Sequence, residues 1–347
     1  MKQTDIKELI KWYTENKRDL PWRRTTDPYK IWISEVMLQQ TRVETVINYY
    51  TTFIKELPTI KDLAQVSEDK LLKLWEGLGY YSRAKNLKKC AEQVIQLGLT
   101  NLPQEEDVLK NLPGIGPYTA GAILSIAYQK QVPAIDGNVM RVLARVYEEN
   151  RSILENKVRT SYEETLQKLM SENYTREFTE GFIELGARVC LPKGNPLCEQ
   201  CPLQKCCQAY IHSKVLDYPV KKAKTKRKIE EKTVLIFAYH KTYAITKRKE
   251  SLLNGLYGFP SYPYKMSLEE ITEKLIKEQN INCTIVPLEE TKHIFSHIEW
   301  HMTNYLINLQ DPPVKDDFYS KEEILSKYSL PTAFRKVFIK ISEYDIL

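Results

Sequence analysis

The stretch LPGIGPYTAGAIL, residues 112–124, constrains the fold more than any other part of the sequence. Gly114 and Gly116 mark a tight turn directly ahead of an apolar helix, and neither carries a side chain that would block close approach of another molecule. Such a turn aims backbone N–H groups and a helix N-terminus at an anion. The pattern is also found where a glycine turn simply joins two packed helices, so the surrounding sequence has to decide.

Apolar residues recur at helical spacing on both sides of this turn. The stripes are Ala84, Leu87, Ala91, Val94, Ile95; then Ala120, Ile123, Leu124, Ala127; then Phe178, Phe182, Leu185, Val189. Short turn signals separate these segments, among them LPTI at residue 57 and NLPQ at residue 101. Residues 1–211 are therefore predicted to form an all-α domain of many short helices.

The composition changes after residue 211. Six of the eight residues from Lys221 to Lys228 are Lys or Arg, which predicts a basic linker over residues 212–231. Beyond it, an apolar run with a turn, a capping box of Ser267 with Glu270, and an alternating segment from Ile294 to Leu306 indicate strands and helices. Phe334, Val337, Phe338 and Ile341 predict a closing helix. Residues 232–347 are therefore predicted to be an α+β domain, and 347 residues suit two such domains.

Charge and hydropathy narrow the class of protein. The formal net charge of +6 favours a polyanionic partner, although a solvated basic surface would give the same excess. No run of 18 apolar residues and no signal-peptide pattern at the N-terminus are found, so we expect a soluble cytoplasmic protein without a membrane partner.

The cysteines and histidines are unevenly distributed. Five cysteines fall within 18 residues, which suggests metal ligation more than a disulfide framework; they are Cys190, Cys198, Cys201, Cys206 and Cys207. Cys90 and Cys283 are interpreted as packing residues. All five histidines lie beyond residue 211, so chemistry in the first domain has to use carboxylates, Lys, Tyr or Cys.

Four segments together identify a known family. LPGIGPYTAG (112–121) resembles the helix-hairpin-helix of the endonuclease III superfamily of DNA glycosylases, and AIDGNVMRVLAR (134–145) resembles the segment with its catalytic aspartate. The stretch from Leu20 to Tyr50, with SEVMLQQT, and LWEGLGYYSRAKNL (74–87) are similar to the adenine glycosylases of the MutY family. The resemblance covers most of residues 20–208.

This resemblance implies the reacting groups. The glutamate of SEVMLQQT, here Glu35, would protonate adenine, and Asp136 would be its carboxylate partner. Breaking an N-glycosidic bond builds positive charge on the sugar and negative charge on the base, so one proton donor and one ionised carboxylate suit the reaction. The apolar neighbours of Glu35 in YKIWISEVML are expected to raise its pKa toward neutrality.

The family's lyase members carry a lysine at the hairpin position that Tyr118 occupies here. A tyrosine cannot form a Schiff base. The resemblance therefore implies a monofunctional enzyme, which releases the base and leaves the strand intact.

The resemblance also implies the substrate contacts. Gln40 would intercalate and Leu38 would help to wedge the duplex open, with Thr41 and Leu78 as further substrate contacts and Gly114 and Gly116 at the DNA backbone. Trp22, Arg23, Tyr118 and Glu180 match positions of the adenine pocket, and Asn138 adjoins the catalytic aspartate. Alternatively, Trp22 is a core aromatic and Glu180 forms a surface pair with Glu184.

For the cysteines, the family pattern implies a 4Fe–4S cluster, with a four-cysteine zinc site as the alternative. The gaps here are seven, two and five residues, against six, two and five in the family. The ligands are therefore expected to be Cys190, Cys198, Cys201 and Cys207, since Cys206 does not fit the last gap. The additional residue, near 193–196, is expected to bulge. The loop from 190 to 207, with Lys193 and Lys205, would lie against phosphate.

LLNGLYGFP (252–260) and HIFSHIEW (293–300) resemble the MutY recognition domain, a relative of the Nudix hydrolases. The triplet Phe295, Ser296, His297 matches its contact with 8-oxoguanine. No glutamate-rich Nudix box follows GLYGFP, so pyrophosphate hydrolysis is not expected. His293, His297 and His301 are four apart, but the alternation around them predicts a strand and disfavours a helical metal site.

The predicted protein is a monomeric, two-domain DNA glycosylase: an all-α helix-hairpin-helix domain with an iron–sulfur loop, followed by an α+β Nudix-like domain. It would flip and remove adenine paired with 8-oxoguanine or guanine in double-stranded DNA during base excision repair. A thymine or uracil glycosylase is the alternative within the class, and SEVMLQQT and the Phe-Ser-His triplet disfavour it. A non-catalytic damage-binding protein is disfavoured because both Glu35 and Asp136 are present.

Overall fold

The computed structural model describes residues 1–220, 227–313 and 317–341, and the chain divides into two compact units. The first consists of Met1–Gln65 with Lys85–Ala223, and the second of Val66–Ala84 with Lys224–Leu347. In the described parts of the chain, no helix is both long and apolar enough to cross a membrane.

The helices of residues 1–220 follow one another with short connections. They are α1 (Gln3–Asn16), α2 (Pro28–Leu38), α3 (Val43–Glu56), α4 (Ile60–Gln65), α5 (Glu68–Leu74), α6 (Ser82–Gln96), α7 (Glu106–Lys110), α8 (Pro117–Ile126), α9 (Gly137–Val146), α10 (Asn156–Leu169), α11 (Thr175–Arg188) and α12 (Gln208–Ile211). Short 3₁₀ helices lie at Pro21–Arg24, Glu172–Tyr174, Cys198–Gln200 and Gln204–Cys206. Residues 1–220 contain no strand, which confirms the predicted all-α domain.

Helix α11 is the central element of the first unit and packs against α1, α8 and α9. Its predicted apolar stripe of Phe178, Phe182 and Leu185 is buried in a core shared with Leu9 and Leu143. The glycine turn also forms as predicted. Gly114 has a φ of +79°, which glycine adopts without strain, and Gly116 is the N-cap of α8 with Pro117 as its first helical residue.

The second unit is built on a six-stranded sheet in the order β6-β7-β1-β2-β8, with β5 also pairing with β1. The strands are β1 (Lys228–Tyr239), β2 (Thr242–Ala244), β3 (Thr246–Lys247), β4 (Tyr257–Gly258), β5 (Ser261–Tyr262), β6 (Cys283–Ile294), β7 (Ile298–Leu309) and β8 (Phe318–Ser320). β1 and β7 pair in parallel, and the other strand pairs of the described residues are antiparallel. β3 and β4 form a separate two-stranded sheet. The helices are α13 (Leu268–Thr272), continued as a π-helix over Glu273–Glu278, then α14 (Lys321–Lys327) and α15 (Thr332–Lys340).

The predicted α+β character of this unit is confirmed, with refinements. The capping box of Ser267 and Glu270 starts α13, and Phe334 and Phe338 of α15 are buried against the sheet. The alternating segment from Ile294 to Leu306 is not one strand, because β6 ends at Ile294 and β7 begins at Ile298. The basic linker predicted over residues 212–231 ends earlier than expected, because β1 starts at Lys228. Residues 221–226 of this linker lie outside the described residues.

Residues 66–84 belong to the second unit, although the predicted first domain, residues 1–211, includes them. Lys73 Nζ donates to the carbonyls of Leu325 (2.7 Å) and Tyr328 (3.0 Å). Glu76 accepts from Leu330 N at 2.9 Å and pairs with Arg335 at 2.9 Å. These bonds join residues some 250 positions apart, so no local pattern indicates them.

Gly121 of α8 generates a test of the helical packing. A Cβ at this position would lie 2.4 Å from the carbonyl oxygen of Pro133, whereas a Cβ at Gly137 of α9 would meet nothing within 4 Å. Gly121→Ala should therefore destabilise the first unit by about 1–3 kcal/mol through overpacking. The midpoint of thermal unfolding, followed by circular dichroism, should fall by several degrees. Gly137→Ala is the matched control, and an equal loss in both variants would contradict the close approach.

Candidate active site

A cleft of about 970 Å³ opens in the first unit, and nearly all of the predicted site residues of that unit line it. The predicted residues along its wall are Trp22, Arg23, Glu35, Leu38, Gln40, Thr41, Gly114, Gly116, Tyr118, Asp136, Asn138 and Glu180. Positions as far apart as 22 and 180 therefore meet at one site. Leu78, the remaining predicted substrate contact, belongs to the second unit and is buried there.

Glu35 lies on α2, which Asp27 caps and Pro28 starts. Its neighbours Ile31, Trp32, Val36 and Met37 are buried, and only 7% of Glu35 itself is exposed. Burial, which disfavours the charged form, raises its pKa to about 7, and the nearby charges of Glu180 and Asp136 act in the same direction. The raised pKa agrees with the expectation from the apolar sequence around Glu35.

Tyr118, on α8, contacts Glu35 directly. Its Oη donates a hydrogen bond to Glu35 Oε2 at 2.6 Å. Burial raises the pKa of Tyr118 well above its ordinary value, so the phenol stays protonated. This hydrogen bond favours the ionised form of Glu35 and partly offsets the effect of burial on the pKa of Glu35.

Asp136 is the N-cap of α9. Its Oδ1 accepts hydrogen bonds from the backbone N–H groups of Asn138 and Val139, both at 2.8 Å, and its Oδ2 accepts from Asn138 Nδ2 at 2.8 Å. Burial raises the pKa of Asp136, and these three hydrogen bonds oppose that rise. The cap fixes the carboxylate at the cleft wall and stabilises the start of the helix.

Asn138 is held from behind by Arg141. Arg141 Nη2 donates to Asn138 Oδ1 at 2.9 Å and to the carbonyl of Gly186 at 2.8 Å. Its Nε donates to the carbonyl of Cys190 at 2.8 Å. Gly186 is required here, since a Cβ would lie 2.6 Å from Asn138 Cβ. No local pattern indicates Arg141, because two of its three partners, Gly186 and Cys190, are 45 and 49 residues away.

The far wall of the cleft belongs to α11. Glu180 is 7% exposed and accepts a hydrogen bond from Tyr13 Oη, while Glu184 is 0% exposed. The alternative of a surface pair of Glu180 and Glu184 is therefore wrong. Trp22 is also buried and packs edge-on against Tyr50, with ring centroids 5.4 Å apart, so it is a core aromatic that also borders the cleft.

The rim of the cleft carries the turn after α2 and the glycine turn. Gln40 is exposed and has a φ of +58°, a left-handed conformation that is uncommon outside glycine. Leu38 and Thr41 flank it and are half-buried. Gly114 and Gly116, both exposed, stand at the N-terminus of α8.

The cysteine loop lies behind α9. Burial raises the pKa values of Cys198, Cys201 and Cys207, and the charges of neighbouring cysteines, Cys190 in each case, add to the rise. Burial and the charge of Asp5 raise the pKa of Cys206 to about 11; Cys207 adds to this rise and the N-terminal amine opposes it. Arg145 Nη1 donates to Cys190 Sγ at 3.2 Å. No three His, Cys, Asp or Glu side chains of the described residues are grouped to hold a single metal ion.

The loop between Cys190 and Cys198 is a compact turn, and the bulge expected near residues 193–196 stays a prediction. Gly194 has a φ of +67°, and Leu197 N donates to the carbonyl of Val189 at 2.9 Å. This bond closes residues 190–196 into a compact turn.

In the second unit, Phe295, Ser296 and His297 form the turn between β6 and β7. Phe295 N donates to the carbonyl of Ile298 at 2.8 Å, and the Phe295 ring lies edge-on to Trp300 with centroids 4.9 Å apart. Ser296 and His297 are exposed, with Ser296 Oγ 3.2 Å from His297 Nδ1. His293 lies on β6 and His301 on the paired strand β7, with His297 in the turn between them, so the three histidines do not share a helix, as expected, but lie on two strands and a turn and not on one strand.

Comparison with known proteins agrees with this architecture. Residues 33–168 match the HhH-GPD superfamily of base excision DNA repair proteins, and residues 233–340 match the NUDIX domain. A thermostable thymine-DNA glycosylase of known structure is similar at a TM-score of 0.55 and 27% identity, over 60% of this chain and 95% of that one.

Two curated relatives match along most of their length. The adenine DNA glycosylase of Buchnera aphidicola subsp. Schizaphis graminum is 36% identical over 87% of this chain and 86% of its own. That of Buchnera aphidicola subsp. Baizongia pistaciae is 33% identical over 97% of this chain and 96% of its own. The chain therefore belongs to the adenine DNA glycosylase family of base excision repair proteins.

Proposed function

We propose that this protein removes adenine paired with 8-oxoguanine or guanine, by flipping the base into the cleft of the first unit and hydrolysing its glycosidic bond. The observation that carries the proposal is the buried carboxyl of Glu35, whose pKa is about 7, in one cleft with Asp136 and Tyr118. A proton donor at neutral pH and a second carboxylate are what the reaction requires.

The proposed steps follow from the negative charge that develops on the leaving base and the positive charge that develops on the sugar. Protonated Glu35 donates its proton to a ring nitrogen of adenine, the bond from C1′ to the base breaks, and the electron pair leaves with the base. The positive charge left on the sugar is stabilised by the carboxylate of Asp136, whose ionised form accepts three hydrogen bonds. Water then adds at C1′ and loses a proton, so the products are free adenine and an abasic site.

A base inside a duplex cannot reach this cleft, so the adenine has to be extruded at a cost of a few kcal/mol. The volume of the cleft, about 970 Å³, is sufficient for a nucleoside. Gln40 is positioned at the rim to occupy the gap in the base stack, with Leu38 and Thr41 beside it. Leu78 remains a predicted substrate contact.

The backbone N–H groups of the glycine turn are suited to a DNA phosphate. Gly114 and Gly116 are exposed at the N-terminus of α8, where the helix dipole favours an anion. Since the turn adjoins Tyr118, a phosphate bound there would lie near the extruded nucleotide. We propose that one monomer binds the duplex in this way.

The absence of strand cleavage follows from Tyr118. Its phenol is neutral and is bound to Glu35, and it provides no amine that could attack C1′. The product is therefore an abasic site in an intact strand.

The turn of Phe295, Ser296 and His297 is proposed to contact 8-oxoguanine. The exposed hydroxyl and imidazole can hydrogen-bond an additional carbonyl oxygen and N–H group on the lesion, and the ring of Phe295 is anchored against Trp300. This contact would give the enzyme its preference for the oxidised base.

The cysteine loop is proposed to hold a 4Fe–4S cluster. Beyond the effect of burial, the charge of Cys190 raises the pKa values of Cys198, Cys201 and Cys207, which supports a shared site, as does the guanidinium of Arg145 beside Cys190. In a four-iron cluster each thiolate binds a different iron, whereas zinc needs all its ligands at one ion. When bound, the cluster would brace the loop, with Lys193 and Lys205 available to phosphate.

Glu35→Gln should reduce the single-turnover rate of adenine release at least a thousandfold, because the amide cannot donate the proton, and should leave lesion binding largely intact. In the wild type, the protonated form of Glu35 is the active one. The rate should therefore fall about tenfold per pH unit above pH 7, as Glu35 loses its proton, and should fall again at acidic pH, where Asp136 becomes protonated.

Two controls accompany this prediction. Glu15→Gln, at an exposed position of α1, should keep the wild-type rate. Tyr118→Phe removes a hydrogen bond that lowers the pKa of Glu35, so the falling limb should move to higher pH. A limb unchanged in Tyr118→Phe, or equal loss of binding and release in Glu35→Gln, would show that Glu35 is not the donor.

Single-turnover assays on duplexes with adenine opposite 8-oxoguanine, guanine, thymine or cytosine test the substrate and the reaction together. We expect release fastest opposite 8-oxoguanine and slower opposite guanine, with strand breaks only after alkali. Changing both Ser296 and His297 to Ala should reduce the preference for 8-oxoguanine over guanine and leave release opposite guanine unchanged. No release from the 8-oxoguanine duplex would refute the proposed substrate, and breaks without alkali would refute the monofunctional reaction.

The ligand set is tested by iron and acid-labile sulfide in the purified protein. Cys207→Ser should lose most of both, because it removes a proposed ligand, whereas the adjacent variant Cys206→Ser should retain them. Retention in Cys207→Ser with loss in Cys206→Ser would reverse the assignment, and bound zinc without sulfide would replace the cluster.

A further inference from the structure

A buried carboxylate that the proposed reaction does not use lies directly behind the cleft. Glu184 follows Glu180 by four residues on α11, so the two side chains leave the helix on the same face, one turn apart. Glu180 lines the cleft, whereas Glu184 lies behind the wall and is fully buried. A buried charge of this kind is costly unless it is paired.

Two arginines surround Glu184. Arg18 binds both of its oxygens, with Nε to Oε1 at 2.8 Å and Nη2 to Oε2 at 2.7 Å, and its backbone N–H adds a bond to Oε1 at 3.2 Å. Arg23 Nη2 donates to Oε2 at 2.8 Å. Burial alone would raise the pKa of Glu184, but the hydrogen bonds from Arg18 and Arg23 lower it to about 2. Glu184 is therefore ionised throughout the working range of pH.

Both arginines line the cleft. The guanidinium of Arg23 is confined further, since Nη1 donates to the carbonyl of Arg18 at 3.2 Å and the group lies over the ring of Tyr13 at 5.5 Å. The planar fork of an arginine is suited to such fixed, bidentate pairing. Glu184 thus connects helix α11 to two cations that line the cleft.

Glu180, within the cleft, competes with Glu184 for Arg23. Burial lowers the pKa of Arg23, and the negative charge of Glu180 is among the effects that raise it. The charge of Arg23 in turn opposes the rise that burial causes in the pKa of Glu35. Without the carboxylate of Glu184, Arg18 and Arg23 would repel each other, and Arg23 would be free to turn toward Glu180. That movement would place a side chain where the base has to bind.

We propose that Glu184 is a positioning residue, which holds Arg18 and Arg23 against the cleft wall and so keeps the base pocket open and correctly charged. The inference rests on the proposed function, since it assigns Glu184 a part in adenine release. Glu184 itself touches neither the cleft nor the reacting atoms.

The chain offers a matched control. Arg24 belongs to the same 3₁₀ helix as Arg23 and pairs with Asp19, but both side chains of that pair are exposed. Glu184→Gln and Asp19→Asn thus make the same chemical change beside neighbouring arginines, one pair behind the cleft and the other in solvent.

The test is single-turnover adenine release at saturating enzyme, with the half-saturating enzyme concentration and the thermal midpoint measured for each variant. Glu184→Gln should slow release at saturation about tenfold, the loss expected for a misplaced pocket group, while Asp19→Asn keeps the wild-type rate. In a double-mutant cycle, Arg23→Met should add little further loss to Glu184→Gln, since both changes disturb one group.

The outcomes separate the two proposals. If wild-type protein releases adenine and Glu184→Gln does so equally fast, or if the Arg23 and Glu184 effects are fully additive, the positioning role is wrong and the proposed function stands. If wild-type protein releases no adenine, the proposed function fails and this inference with it. If Glu184→Gln does not fold, Glu184→Asp replaces it, because aspartate keeps the charge but holds it one methylene further from Arg18 and Arg23. A slower rate of adenine release in Glu184→Asp supports the proposal, and an unchanged rate overturns it.

Discussion

The carboxyl group of Glu35 lies within an apolar helix, and its burial sets the conditions for the rest of the site. Water cannot solvate the ionised form there, so the pKa rises to about 7. Helix α2 supplies the apolar surroundings and α8 supplies the hydrogen bond from Tyr118. The packing of α2 against α8 thus fixes the chemistry of the carboxyl group as well as its position.

Three carboxylates line the cleft and a fourth lies directly behind it, and each has different hydrogen-bond or ion-pair partners. Glu35 has one hydrogen-bond donor and a raised pKa, Asp136 has three donors at a helix start, and Glu184 has two arginines and a pKa of about 2. Glu180 pairs with Tyr13 and Arg176. The surroundings of each carboxylate therefore decide its pKa or its pairing, and with that its proposed role as acid, counter-charge or support.

Patterns with a short range predicted much of this structure. The helical stripes, the glycine turn, the capping box of Ser267 and the apolar setting of Glu35 all depend on neighbours within a few residues. Each was confirmed, except that Ile95 of the first stripe is 41% exposed. The meeting of Glu35 with Asp136 was implied only by family resemblance, since no periodicity links positions a hundred residues apart. The contacts of Glu184, Arg141 and Glu76 were not predicted, because each is an ion pair or hydrogen bond to a distant segment. A surface pair of Glu180 and Glu184 stood only as an alternative, because the sequence neighbours of Glu184 do not reveal the two arginines near position 20.

The central claim is that Glu35 holds a proton at neutral pH, and it can be measured without any reaction. Protein labelled with ¹³C at the glutamate carboxyl carbon would be titrated by NMR, and the spectrum of Glu35→Gln would identify the resonance of Glu35. We expect a titration midpoint near 7 for that resonance. A midpoint near 4.5, the ordinary value for a glutamate, would contradict it.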